Sequence, residues 1–244
     1  MKNQNILQNI KNNCSNIRAF TLAEVLITIG IIGVVAAMTL PTVVQSHRNI
    51  VAEVRLKKFY STFNQAILKA DAKYGDRESW YQDTRSVQTD EHGNVIEETS
   101  TIDKWFKEYL SDFITIKKEI IADGAVTYYL SDGSAFRFGS LEGGVSSRGV
   151  TFYIANPDKC NNTSGSSGSC RFYFLFNPLN TESDNKYHYK KGLEPGKYAW
   201  DGTKNSLYTD NTRGCQTGSG NYCTALIQYN GWKIPKDYPR KIRF

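Results

Sequence analysis

One carboxylate stands at the mouth of a membrane-grade segment. Glu24 is followed by twenty uncharged residues, Val25 to Val44, eleven of them Leu, Ile or Val. Each of those favours a bilayer-spanning helix by about 0.3–0.6 kcal/mol. Their sum outweighs a single Glu, whose cost is at most ~3 kcal/mol and falls near the interface. The segment is therefore expected to enter a membrane with Glu24 at its edge. An ionisable residue so placed points to a function and to a partner of opposite charge.

Cysteine is the second reactive type. Cys160, Cys170, Cys215 and Cys223 lie far beyond the apolar run, whereas Cys14 precedes it, so Cys14 has no lipid-attachment geometry. Four cysteines in a body that faces an oxidising compartment read as two bridges. Three pairings are open, and the short spacings favour Cys160–Cys170 and Cys215–Cys223. Each closes a loop worth roughly 2.5–3 kcal/mol of chain entropy. A four-cysteine zinc site is the alternative, but the spacing of two to four residues within each pair that such sites use is missing.

Catalytic constellations are not evident. His47, His92 and His188 are far apart and lack metal-ligand spacing. The Gly-rich stretch 139–149 has no strand-to-helix context that would make it a phosphate cradle, and reads as a turn. No cofactor and no enzyme activity are expected. The net charge is +6, half of it from Lys2, Lys11 and Arg18 ahead of the apolar run. The remainder is too small, and too dispersed, to imply a nucleic-acid partner.

The elements that position these groups follow from periodicity. Residues 20–74 read as one helix, apolar at first and amphipathic from His47 onward. Ile50, Val51, Val54, Phe59, Phe63, Ile67, Ala70 and Tyr74 recur at three- to five-residue intervals, and Gly75 is the stop signal. At 1.5 Å per residue such a helix is ~80 Å long, more than a bilayer needs. Pro41 should kink it or locally unwind it. Residues 76–100 are polar and predict an exposed loop. A short amphipathic helix over 101–110 is capped by Ser100 or Thr101. Next, AVTYYL and AFRFGS flank Ser131-Asp132-Gly133-Ser134, a hairpin signal. VTFYIA (150–155) and RFYFLF (171–176) add two strands. Their alternating aromatics predict core and cross-strand pairs. The tail from 177 reads as loop-rich, ending in a short strand or docked extended segment at 230–235. The fold class is α+β: a long N-terminal helix on an antiparallel sheet of three or four strands.

The run Ala19-Phe20-Thr21-Leu22-Ala23-Glu24-Val25-Leu26 resembles the cleavage and methylation signature of type IV prepilins and type II secretion pseudopilins. Phe20 and Glu24 match residue by residue, and Gly33 and Pro41 stand where that family's helix often carries Gly and Pro. Ala19 departs from the usual Gly before the cut. The close likeness spans residues 18–75. It implies a leader over 1–19, a transmembrane half-helix over 20–45 and a pilin-like periplasmic or extracellular α+β body over 46–244. It also implies cleavage between Ala19 and Phe20 by a prepilin peptidase, methylation of the new Phe20 amine, and a role for Glu24 in assembly with other pilin or pseudopilin subunits. The basic leader would stay cytoplasmic and the body would cross the inner membrane before joining a pilus or pseudopilus filament.

Two other readings use the same residues. A cleaved secretory signal would use Lys2, Lys11 and Arg18, the apolar core and Val35-Ala36-Ala37. Glu24 has no purpose in it, and the apolar run continues to Val44. The other rival is a single-pass anchored periplasmic enzyme or binding protein with an uncut leader, and an anchor would not require Glu24. Related pseudopilins place calcium ligands after a strand like 150–155. Here Asn156-Pro157-Asp158-Lys159-Cys160 lacks that loop pattern. Asp201 and Asp210 alone cannot supply six oxygens, so no metal is assigned.

Overall fold

The computed structural model describes residues 20–80, 90–92, 94, 96, 99–122, 125–138, 148–160, 167–179 and 181–244. The leader with Cys14 and Ala19, the Gly-rich residues 139–147 and the loop tip 161–166 lie outside the described residues. Contacts divide the chain into two units, Met1–Ser46 and His47–Phe244.

Helix α1 spans Leu22–Tyr74. It runs through Pro41 without interruption, so the expected unwinding does not occur. Pro41 forfeits one hydrogen bond, to the Ala37 carbonyl, and the flanking turns keep theirs. The helix stops at Gly75, whose φ of +85° suits a residue without Cβ and whose N–H returns to the Asp71 carbonyl at 3.0 Å.

In the second unit, α1 buries Ala52, Leu56, Phe59, Phe63, Ala66, Ile67 and Ala70. The spacing alternates four and three, a narrow stripe that keeps one face against a flat partner. This corrects part of the expected face. Ile50 is 53% exposed and Val54 60% exposed, because the stripe starts from Ala52 and Leu56 instead.

The partner is a six-stranded antiparallel meander, β1-β2-β3-β4-β5-β6. Its strands are β1 Lys118–Ala122, β2 Ala125–Tyr129, β3 Ala135–Phe138, β4 Arg148–Tyr153, β5 Arg171–Phe176 and β6 Leu193–Pro195. Two rows of facing residues cross its buried face. Tyr128, Phe136, Phe152 and Phe172 are successive register partners, as are Val126, Phe138, Val150 and Phe174. All eight are buried, each aromatic contributing about 1.5–3 kcal/mol. The β2–β3 connection turns on Gly133 (φ +81°), with Leu130 and Ser134 paired across a three-residue loop. The sheet therefore exceeds the expected three or four strands by the edges β1 and β6. Neither announces itself: β1 reads KEIIA, and β6 is three residues ending in proline.

Helix α2, Thr101–Tyr109, is capped by Ser100, whose hydroxyl accepts the Asp103 N–H at 3.3 Å. Its face Ile102, Trp105, Phe106 and Tyr109 covers the sheet beside α1. Asp103 is buried there, accepting from the Tyr128 hydroxyl at 2.6 Å and pairing with Lys107 at 2.8 Å. Of the expected exposed loop over 76–100, residues 81–89, 93, 95, 97 and 98 lie outside the described residues, and most of the others are exposed, Trp80 being an exception. Trp80 is buried, stacked on Tyr109 at 4.7 Å, and donates its indole N–H to the Gly75 carbonyl.

The tail is more ordered than expected. Helices α3 (Lys204–Thr209) and α4 (Cys223–Tyr229) enclose a second small core of Trp200, Leu207, Tyr222 and Leu226. Residues 230–235 form neither a strand nor an extended segment throughout: 230–232 make a turn that closes α4, with Gly231 and Trp232 at positive φ, and the segment docks on α1. Trp232 lies on Tyr60 at 4.8 Å, and Glu53 accepts from the Ile234 N–H and pairs with Lys233.

Candidate functional site

The N-terminal unit holds the residues singled out by the sequence. Phe20 is 85% exposed, and all eleven Leu, Ile and Val side chains between Val25 and Val44 are exposed. An apolar surface of that extent marks a membrane or protein partner. The helix is long and apolar enough to cross a bilayer by length and composition.

At its start, the Glu24 carboxylate accepts from the Thr21 N–H at 2.8 Å and the Thr21 hydroxyl at 2.9 Å. The Thr21 hydroxyl in turn accepts from the Glu24 N–H at 3.2 Å. This is a reciprocal capping box, worth roughly 0.5–2 kcal/mol to the helix end. Thr21 was missed as a site residue, although Thr-x-x-Glu before an apolar run is its signature. The geometry also corrects an argument from sequence: an anchor helix does have a use for Glu24, as the third residue of its own cap.

The cysteines come together in the second unit. Cys160 and Cys170 lie at disulfide distance with Cα atoms 5.8 Å apart, and Cys215 and Cys223 likewise at 4.7 Å. The two loops abut: a Cβ on Gly168 would fall 2.3 Å from the Cys223 sulfur, and its φ of +76° independently requires glycine. The C-terminal arm straps both. Arg240 donates to the carbonyls of Ser167, Cys215 and Gly218, and the Tyr238 hydroxyl to that of Gly168.

The acids considered for calcium are engaged locally. Asp201 accepts from Thr203 and Ser206, and Asp210 from the N–H groups of Thr212 and Arg213. Among the described residues no group of three or more His, Cys, Asp or Glu is placed to hold a metal ion.

The histidines are not assembled. His47 and His92 are exposed, whereas His188 is fully buried. Its Nε2 accepts the Lys197 N–H at 3.0 Å, so the neutral ring carries its proton on Nδ1. Burial, reinforced by the charges of Lys197 and Lys191, pushes its pKa down to about 4. The unfolded chain takes up this proton below the ordinary 6.5, while the folded chain refuses it until about 4. The stabilising effect is thus whole above pH 6.5 and drains away as pH falls towards 4. Its size is on the order of 3 kcal/mol. Melting of the full chain in detergent at pH 7 and pH 4.5 should show this loss. His188→Gln, which keeps an acceptor but does not titrate, should flatten the difference; an unchanged slope would exclude His188 as its source.

Against this geometry, residues 42–242 match a family described as a family of unknown function (DUF6613). The chain belongs to that family. Residues 14–40 match the prokaryotic N-terminal methylation motif, spanning Ala19, Phe20 and Glu24. No curated protein and no solved structure matches the chain. The DUF6613 chain therefore carries a prepilin-type signature ahead of an α+β body with a long N-terminal helix, and is pilin-like or pseudopilin-like as a precursor. The motif points to a structural family and not to an enzyme.

Proposed function

We propose that the chain is a subunit precursor of a type IV pilus or a type II secretion-like pseudopilus. The methylation motif over residues 14–40, which runs into the exposed apolar start of α1, carries the reading. Residues 1–19 are the leader, 20–45 the membrane-spanning half-helix and 46–244 the exported body. The leader stays cytoplasmic, since Lys2, Lys11 and Arg18 favour that side of the inner membrane. A prepilin peptidase cuts between Ala19 and Phe20 and methylates the new amine. In the filament, with copies of itself or other pilins, Glu24 pairs with the amine of a neighbouring subunit, so that neither charge is buried alone. The Cys160–Cys170 and Cys215–Cys223 bridges close once the body leaves the reducing cytoplasm.

The capping box gives the rival some support, because it lets Glu24 serve an uncut, anchored periplasmic protein. N-terminal sequencing and intact mass of the membrane-extracted chain separate the two. A chain beginning at N-methylated Phe20 is expected. One beginning at Met1 or Met38 would overturn the proposal.

A further inference from the structure

The body contains a cavity of about 200 Å³ between α1, the β2–β3 turn and the stretch after α2. Four phenylalanines, Phe59, Phe63, Phe136 and Phe152, form its floor. Their rings pack on one another, with Phe59 stacked on Phe152 at 4.4 Å and Phe63 edge-on to Phe136 at 5.8 Å. An apolar cavity of about 150 Å³ already admits benzene, so this one has room for a single ring and a short polar appendage.

The mouth sets the sign of that appendage. Lys58 pairs with Asp132 at 3.0 Å, and these two charges cancel. Burial alone would raise the Asp132 pKa, but hydrogen bonds from Ser134 and Lys58 outweigh it and hold the carboxyl at about 2, so it stays ionised. Arg55 is different. Its guanidinium donates to two backbone carbonyls, of Ile154 and Asp132, which are neutral. Among the described residues no carboxylate pairs with it. A guanidinium has five donors in a planar fork that matches a carboxylate. An aromatic floor and one uncompensated, half-buried cation at the rim make an amphipathic site.

We propose that this cavity binds a small aromatic monocarboxylate, ring on the phenylalanine floor and carboxylate at Arg55. The site lies wholly within the second unit and does not depend on filament assembly. The test uses the full chain in detergent with para-fluorophenylacetate as probe, followed by fluorine NMR, and detergent alone as blank. Saturable broadening is expected for the acid, with binding at least tenfold weaker for para-fluorophenylacetamide, which lacks the charge. Arg55→Lys, which keeps the charge but not the fork, should bind more weakly than the wild type and more tightly than Arg55→Gln, which should lose at least tenfold. Thr62→Trp, on the exposed face of α1 at the lip, should block the cavity without entering the core. This variant decides the matter if loss of the Arg55 hydrogen bonds lowers the melting temperature. Equal binding of acid and amide, undiminished binding by Thr62→Trp at unchanged melting, or broadening no greater than in detergent alone would each overturn the proposal.

Discussion

Glu24→Gln is expected to insert, to be cleaved, and to be missing from filaments. Gln at the third helical position keeps the capping box, so the helix start with Thr21 survives. What it loses is the charge. An incoming subunit would then leave its neighbour's N-terminal amine buried without a counter-ion, at about 3–5 kcal/mol. At 1.4 kcal/mol per factor of ten, incorporation should fall by roughly a hundredfold or more. Thr21→Ala is the complementary variant: it removes the cap but keeps the carboxylate, at a cost of about 1 kcal/mol, and should lower incorporation only several-fold. The comparison is between monomer in the membrane and sheared filament, in cells lacking the wild-type copy. Normal incorporation of Glu24→Gln would remove the charge from the mechanism. A defect of Glu24→Gln no larger than the several-fold loss of Thr21→Ala would mean that the charge contributes no more to assembly than the cap does.

Phe136→Ala should bring the α+β body close to unfolding. The Phe136 ring is fully buried, in the row that joins Tyr128 to Phe152 and Phe172. It meets Phe59 and Phe63 of α1 at 5.4 and 5.8 Å and Phe106 of α2 at 5.8 Å. Removing it opens a hole where both helices rest on the sheet. Such truncations cost about 3–5 kcal/mol, a large part of the 5–15 kcal/mol typical of a whole domain. For a body near 200 residues the melting temperature should drop by about 6–20 °C. Leu68→Ala, on the exposed side of the same α1 helix, should stay within ~0.5 kcal/mol. Equal shifts for the two variants would mean that the aromatic row does not anchor the helices.

Several features were legible because their signals are local. The apolar run, the Gly75 stop, the Ser100 cap and the Asp132-Gly133 turn each depend on residues within a few positions of one another. The alternation of RFYFLF placed Phe172, Phe174 and Phe176 on the buried face for the same reason. The Thr21–Glu24 box is equally local, a four-residue pattern in which Glu24 serves both as cap and as charge.

Tertiary structure decided the rest. KEIIA and LEP become strands only because β2 and β5 offer them hydrogen bonds, and too few residues alternate in either to be recognised alone. The buried stripe of α1 begins at Ala52 and not at Ile50, since the sheet selects which of two apolar faces it covers. Arg240 grips carbonyls 25 and 73 residues away, and Arg55 reaches a carbonyl 99 residues away. Backbone carbonyls are the same in every residue, so no pattern of side chains records which ones a guanidinium will meet. The sequence by itself determined the long apolar helix, its methylation signature and the strands at the centre of the sheet. The sheet's edges, the strapped cysteine loops and the aromatic-floored cavity were decided only when distant segments came together.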